Sequence, residues 1–373
     1  MKKFLGSRFI SVYIIPGAVF QSVMIGGGYG TGREIVEYFT SYGSLGGLTG
    51  IAMSFVMMAA VLAASFEFSR YFAVFDYRNF FKTLLGKGWF LFEILIVLQF
   101  LLILGVLASA AGNILRDHFG IPYGVGLVVM LVTVGLLTYY GRDFIAKVLT
   151  LWSLFLYIVF IAIFYAVFTT SWSEISAEMA VLEVSPGWWQ SGLKYAMYNL
   201  AVLPLLLFVA RNFKTRKEAV CSGIVASAIA IVPACFFHLA FMASYPAIVA
   251  QPIPVYWMMS ESGMSVLVII YSIMLFGTFI ETGAGMLQGI NERLDAYMIE
   301  KRGVPLGGKQ HALLSVLAIL LSSGLSLWGI SSLIAKGYGT MAWGFLFVYI
   351  VPLLTFGIYR MYANAKASTP DPA

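Results

Sequence analysis

Nine consecutive residues, Gly26-Gly27-Gly28-Tyr29-Gly30-Thr31-Gly32-Arg33-Glu34, set five glycines, a hydroxyl, a guanidinium and a carboxylate inside an otherwise apolar stretch. Each glycine in a helix interior costs about 1 kcal/mol against alanine, so this run predicts a helix that comes apart. Carbonyls ending the first half attract a cation, and free N–H groups opening the second attract an anion. One break can therefore bind both ends of a small charged solute, or a solute and an ion. Glycines also let helices pack closely, as in GxxxG pairs. Arg33 and Glu34, directly adjoining, favour the break.

A second cluster, Gly277-Thr278-Phe279-Ile280-Glu281-Thr282-Gly283-Ala284-Gly285, puts Thr278 and Thr282 within helical reach of Glu281. A charge near a bilayer centre costs at least ~2.5–3.5 kcal/mol, so Glu281 needs a partner or a task. Three roles stay open: a ligand for Na⁺, a carrier of H⁺, or half of a buried salt bridge. Ser153 is a candidate for a further face of that ion site, although a lone serine commonly bonds back to its own helix. Pro204 lacks an N–H and disturbs the turn before it, predicting a second break near residues 198–201. Tyr195, Tyr198 and Asn199 lie there, and Gln99 and Phe100 supply further polar and aromatic surface in another apolar segment. Arg33, Glu34, Glu37, Lys194 and Lys336 can form ion pairs that open and close a gate, or permanent structural pairs.

Enzyme chemistry finds no support. His118, His238 and His311 are scattered without metal spacing, and neither a GxSxG nucleophile nor a Walker phosphate loop occurs. Cys221 and Cys235 share one apolar segment and read as packing residues.

The elements that position these groups are membrane helices. The 373-residue chain is 60% hydrophobic and 11% charged, where soluble domains carry about a quarter charged residues. Apolar segments recur at about 9–42, 44–67, 89–112, 122–140, 143–169, 186–211, 217–245, 262–290, 311–328 and 330–359, against the ~20 residues that cross ~30 Å of hydrocarbon. The expected fold is an all-α polytopic membrane protein with ten transmembrane helices in a single domain, 1–373. Most Lys and Arg fall in loops on the side of the termini, while Glu174, Glu178 and Glu183 share a loop on the other. By the positive-inside rule both termini are cytoplasmic and the chain sits in the cell's inner (plasma) membrane. That segregation places the net charge of +6 at the lipid surface, so nucleic acid is not expected as a partner; the lipid bilayer and a small-molecule solute are. The opening Met1-Lys2-Lys3 and apolar stretch lack a cleavage site and are expected to remain in the mature protein. The connections 70–88 and 291–310 mix aromatic or aliphatic residues with charge, as surface-lying amphipathic helices do. A tail at 361–373 is expected to be disordered.

Splitting the chain near residue 178 gives two sets of five spans, about 8–170 and 185–360, inserted in opposite senses with the interrupted first and sixth helices facing one another. On the motif Gly26–Glu34, together with this span count and spacing, the sequence resembles the amino acid–polyamine–organocation superfamily. That resemblance implies the LeuT-type 5+5 inverted repeat with helices 1 and 6 discontinuous, and within it the YkvI-like amino acid permeases. The motif differs from the GNxWRFP-like pattern of sodium–neurotransmitter symporters. The resemblance implies a secondary active transporter, a symporter moving an amino acid or related zwitterion with H⁺ or Na⁺ by alternating access. The solute would be bound by Gly26, Gly27, Gly28, Tyr29, Gly30, Thr31, Gly32, Gln99, Phe100, Tyr195, Tyr198 and Asn199, its carboxylate on the amides near Gly30–Gly32. It places Na⁺ at Glu281 and Thr282, and an outer gate pairing Lys336 with Glu34 or Glu37. No resident cofactor is expected beyond a coupling ion. The alternative is a solute receptor or channel-like protein on the same scaffold, without coupled turnover.

Overall fold

With no water in the hydrocarbon to satisfy peptide groups, apolar segments of this kind must close their hydrogen bonds internally, and helices do so within one segment. The computed structural model describes residues 7–140 and 142–367, and their surroundings except at 27, 117–119, 131, 135, 137–151, 153–154, 296 and 365–367. The described residues form helices and turns without a strand.

After a π turn at Ile10–Ile14 come α1 (Ile15–Met24), α2 (Gly27–Gly30) and α3 (Arg33–Tyr38). Then follow α4 (Ser44–Tyr71), α5 (Tyr77–Leu85), α6 (Phe90–Phe119), α7 (Tyr123–Tyr140), α8 (Arg142–Thr170) and α9 (Trp172–Ala180). Next α10 (Trp188–Asn199) passes into 3₁₀ turns at Leu200–Leu205 and Leu207–Asn212, followed by α11 (Arg216–Phe241), α12 (Pro254–Glu261), α13 (Ser265–Arg302) and α14 (Gly308–Ser326). The last helix, α15 (Ile330–Asn364), contains several π turns. Among the described residues, five helices are long and apolar enough to cross a membrane: Ser44–Tyr71, Tyr77–Arg116, Arg216–Ser244, Ser265–Arg302 and Ile330–Asn364. Phe155–Thr170 and Trp172–Ala180, bent by 78°, make a sixth if taken together. Shorter or interrupted helices occupy the remaining apolar segments. The chain is a multi-pass, all-helical membrane protein.

Two packing groups organise these helices. In the first, α4 lies against α10 and α11, and α11 lies against α1. In the second, α6 packs on α7 and α14, and α13 on α6, α7 and α8. Hydrogen bonds tie the first group together, Ser54 to the Gly192 carbonyl at 2.7 Å and Ser191 to that of Tyr38 at 2.8 Å, each worth about 0.6 kcal/mol in a membrane interior. The short α2 belongs by chain to the first group but touches α6 and α13 of the second. The glycine run therefore stands at the seam.

One connection and the tail differ from expectation. Segment 70–88 contains the short α5, whose N-terminus Asp76 caps through the Asn79 amide at 2.9 Å, but 291–302 simply prolongs α13 to Arg302. His311 and the Leu306 amide hold Asp295 there at 3.0 and 2.8 Å. The helix Ile358–Ala367 likewise reaches into the stretch 361–373 expected to be unstructured, and 368–373 lie outside the described residues. Both cysteines are free thiols.

Candidate functional site

The glycine run bends twice instead of unravelling. Ile25 leaves the helical region at φ −77°, ψ 73°; one turn, α2, follows, and Gly32 at φ +80° turns the chain into α3. A side chain is disfavoured at Gly32 by that left-handed backbone, and by Phe241 Cζ and Val255 Cγ2, which stand 2.5 and 2.8 Å from where a Cβ would be. The bend is held from several sides. Thr31 Oγ1 donates to the Gly28 carbonyl at 2.7 Å and accepts from the Arg33 amide at 3.2 Å. Tyr271 donates to the Gly30 carbonyl at 2.9 Å, and the Val255 amide, at the start of α12, donates to Thr31 O at 3.2 Å.

This geometry corrects one expectation. The Gly30 amide donates to Gly26 O at 2.7 Å and the Gly32 amide to Tyr29 O at 2.9 Å, because residues 27–30 keep a helical turn. Neither is free for a solute carboxylate.

What faces the seam instead is Glu34. It is 5% exposed and accepts a hydrogen bond from the Tyr198 hydroxyl. Its carboxylate lies so close to Gly28 that a Cβ there would overlap Oε1. Beside it is a cavity of about 40 Å³ lined by Gly26, Gly28, Glu34, Gln99, Phe100, Tyr198, Asn199, Thr282 and Tyr338, with Val23, Met24, Ile96, Ile103, Val202 and Met286 as apolar wall. Thus Gln99 and Phe100 of α6, Tyr198 and Asn199 at the end of α10, and Thr282 of α13 meet at the glycine run. Gln99 is 2% exposed and its Oε1 has no hydrogen-bond partner. The Asn199 amide nitrogen donates to Tyr195 O at 2.9 Å.

On the side of α3 the cavity is roofed by tyrosines. Tyr198 contacts Tyr338 and Tyr38 with ring centroids 4.9 and 5.4 Å apart, and Tyr195 packs on Phe39 at 4.7 Å. Tyr38 also donates to Ile334 O at 3.0 Å, tying α3 to α15. Tyr38 and Tyr338 escaped the sequence reading; the only signal was their place among polar-tipped aromatics in apolar spans. On the side of the chain termini, a larger cavity of about 430 Å³ adjoins the small one. Both are lined by Val23, Phe100, Thr282 and Met286, so these four side chains stand between them.

Other expected residues lie elsewhere. Tyr29 packs edge-on to Phe237 at 5.6 Å, and Tyr195 sits in the roof, one layer from the cavity. The Thr278 hydroxyl donates back to Met274 O at 2.9 Å, and Thr278 lines neither cavity. Glu281 is half-buried and lines the larger cavity with Thr282; the side chain of Ser153 lies outside those described. The expected gate pair with Lys336 is not formed. Glu37 pairs with Arg33 at 2.7 Å, its neighbour one helical turn back, while Lys336 is exposed. Arg33 also donates to the carbonyls of Val249 and Gln251 at 2.7 and 3.1 Å, clamping the loop before α12. Lys194 is half-buried, one turn before Tyr198.

No protein-family model matches the chain. A curated relative, the membrane protein YkvI of Bacillus subtilis, is 23% identical over 287 residues, covering 75% of this chain and 80% of that protein. Among solved structures, the manganese transporter of Eremococcus coleocola, in complex with an aromatic bis-isothiourea substituted compound, aligns with a TM-score of 0.59 at 16% identity, over 95% of this chain and 80% of that one. MhsT in complex with L-phenylalanine aligns with a TM-score of 0.57 at 16% identity, over 96% of this chain and 99% of that one. At such identities the likeness establishes architecture, and the resemblance read from the glycine motif is borne out at that level: the chain has the LeuT-type fold.

Proposed function

We propose that this protein is a secondary active transporter that carries a small polar solute, an amino acid or related zwitterion, across the membrane by alternating access. The observation that carries the reading is the polar cavity at the seam between two helix groups, built on an interrupted α1–α2–α3 segment and on the end of α10. A static packing core has no reason to bury a carboxylate, an amide oxygen without a partner and a glycine run together. The fold shared with transporters supports it.

We read the apolar segments as ten spans in two inverted sets of five, the first and sixth interrupted, with both termini cytoplasmic. In that orientation the solute site is covered on the outer side by the tyrosine roof and the Arg33 clamp. On the inner side only the layer of Val23, Phe100, Thr282 and Met286 separates it from the larger cavity. Rocking of the α1, α4, α10, α11 group against the other would open one side and close the other. Glu281 and Thr282, at the inner cavity, serve the coupling ion, H⁺ or Na⁺.

Purified protein in proteoliposomes, given labelled amino acids with and without H⁺ or Na⁺ gradients, tests the reading. Accumulation driven by one gradient is expected; binding with no accumulation under any gradient rejects transport in favour of a receptor. Replacing Glu281 by Gln is expected to remove the dependence on the driving ion, and a mutant with normal rate and normal ion dependence refutes that role.

A further inference from the structure

We infer that the Glu34 carboxylate is the recognition point for a cationic head group, so that the solute carries a primary ammonium and is held here by its positive end. This rests on the reading of the seam cavity as a solute site, and reverses the polarity expected from the glycine amides.

Charge is the first argument. Among the described residues Glu34 is the only charged side chain lining the small cavity, and no ion pair is formed with it. The nearest cation in sequence, Arg33, turns both terminal nitrogens of its guanidinium to Val249 O, Gln251 O and Glu37. A buried carboxylate without a counter-charge must take up a proton or a cationic partner, and in the loaded state the ammonium of the solute fills that place.

Hydrogen-bond polarity is the second. A primary ammonium has three donors and no acceptor. The cavity offers the Glu34 carboxylate, the side-chain amide of Gln99, whose Oε1 is without a partner, and the oxygen of Asn199, whose nitrogen is already engaged. Rings of Phe100, Tyr198 and Tyr338 complete the lining, and aromatic faces attract cations. A carboxylate would instead confront Glu34 and find the Gly30 and Gly32 amides occupied. A divalent metal prefers several anionic oxygens, and the described residues contain no cluster of three His, Cys, Asp or Glu.

Size is the third. About 40 Å³ accommodates a head group and not a whole amino acid, so the remainder of the solute enters the adjoining 430 Å³ when the layer of Val23, Phe100, Thr282 and Met286 parts.

Matched pairs of probes test this on the full-length protein in detergent micelles. Thermal stability is followed with methylammonium, ethylammonium and phenethylammonium chloride, against sodium acetate, propionate and phenylacetate, with NaCl and KCl as controls. At least one ammonium ion should stabilise in a dose-dependent way while its carboxylate counterpart does not, and Glu34→Gln should weaken its apparent affinity about tenfold or more. Gln99→Ala is expected to weaken it several-fold, and the paired comparison on the unmodified chain decides if either variant fails to fold. Stabilisation by carboxylates beyond the matching NaCl control, by none of the ammonium ions beyond the salt controls, or equally in E34Q overturns the inference. Gradient-driven accumulation of a solute without ammonium preference sinks this inference and leaves the transporter reading standing; ammonium binding without accumulation does the reverse.

Discussion

Replacing Gly28 by Ala sets two opposing effects against each other. Alanine in the helical turn of α2 gains about 1 kcal/mol of propensity over glycine. The new methyl, however, would overlap Glu34 Oε1 and approach its Cδ to 3.2 Å and Cγ to 3.5 Å. The carboxylate ends a flexible side chain, so the least costly response is for it to swing away, breaking the bond from Tyr198 at about 1.5–3 kcal/mol for a hydrogen bond to a charged group. The difference leaves a net destabilisation of roughly 0.5–2 kcal/mol, a few degrees or less in melting temperature. Function loses the full 1.5–3 kcal/mol, since the charge is no longer placed; at about 1.4 kcal/mol per decade this is roughly a 10- to 150-fold loss in solute affinity. Gly26→Ala provides the contrast. There the new Cβ meets only Thr282, at 3.3 and 3.5 Å, which a shift of a few tenths of an ångström relieves, so stability holds or rises and uptake changes little. Melting temperature and initial uptake rate in proteoliposomes are the assays. Wild-type uptake by G28A, or a larger loss in G26A than in G28A, refutes the assignment of Glu34 as the positioned charge.

Tyr198→Phe keeps the ring contacts with Tyr38 and Tyr338 but removes the donor to Glu34, so uptake affinity should fall about tenfold with the fold intact; unchanged KM and maximal rate would count against it. Arg33→Lys leaves one compact ammonium to serve Val249 O, Gln251 O and Glu37, which the planar fork reaches together. A loss of about 1–3 kcal/mol is expected, read as a lower melting temperature and faster hydrogen exchange in 245–253, and unaltered exchange there would refute the clamp. At the start of α11 the Glu218 carboxylate accepts from Arg8 and from the Lys214 and Thr215 amides, while its own amide donates to Thr215 Oγ1 at 3.2 Å. Glu218→Ala removes this cap and should cost about 1 kcal/mol, read as a lower melting temperature; an unchanged melting temperature refutes it.

The sequence alone carried the class of structure and the address of the site. Apolar segments recurring at membrane length satisfy their peptide groups within one segment only as helices, and a run of five glycines weakens a helix wherever it falls; both are local effects, and the chain bends between α1, α2 and α3. Pro204 acted likewise, since the loss of one N–H is felt within a turn and α10 gives way to 3₁₀ geometry just before it. Tertiary structure alone decided which groups face one another. Whether Gln99 or Tyr29 reaches the cavity, whether Glu34 meets Lys336 or Tyr198, and whether the guanidinium of Arg33 finds a carboxylate or two loop carbonyls depend on helix rotation and on contacts between residues some 150 to 300 positions apart. Hydrophobic composition does not encode that rotation, because every face of a buried membrane helix is apolar. The sign of the charge the site lacks became readable only once the helices were docked.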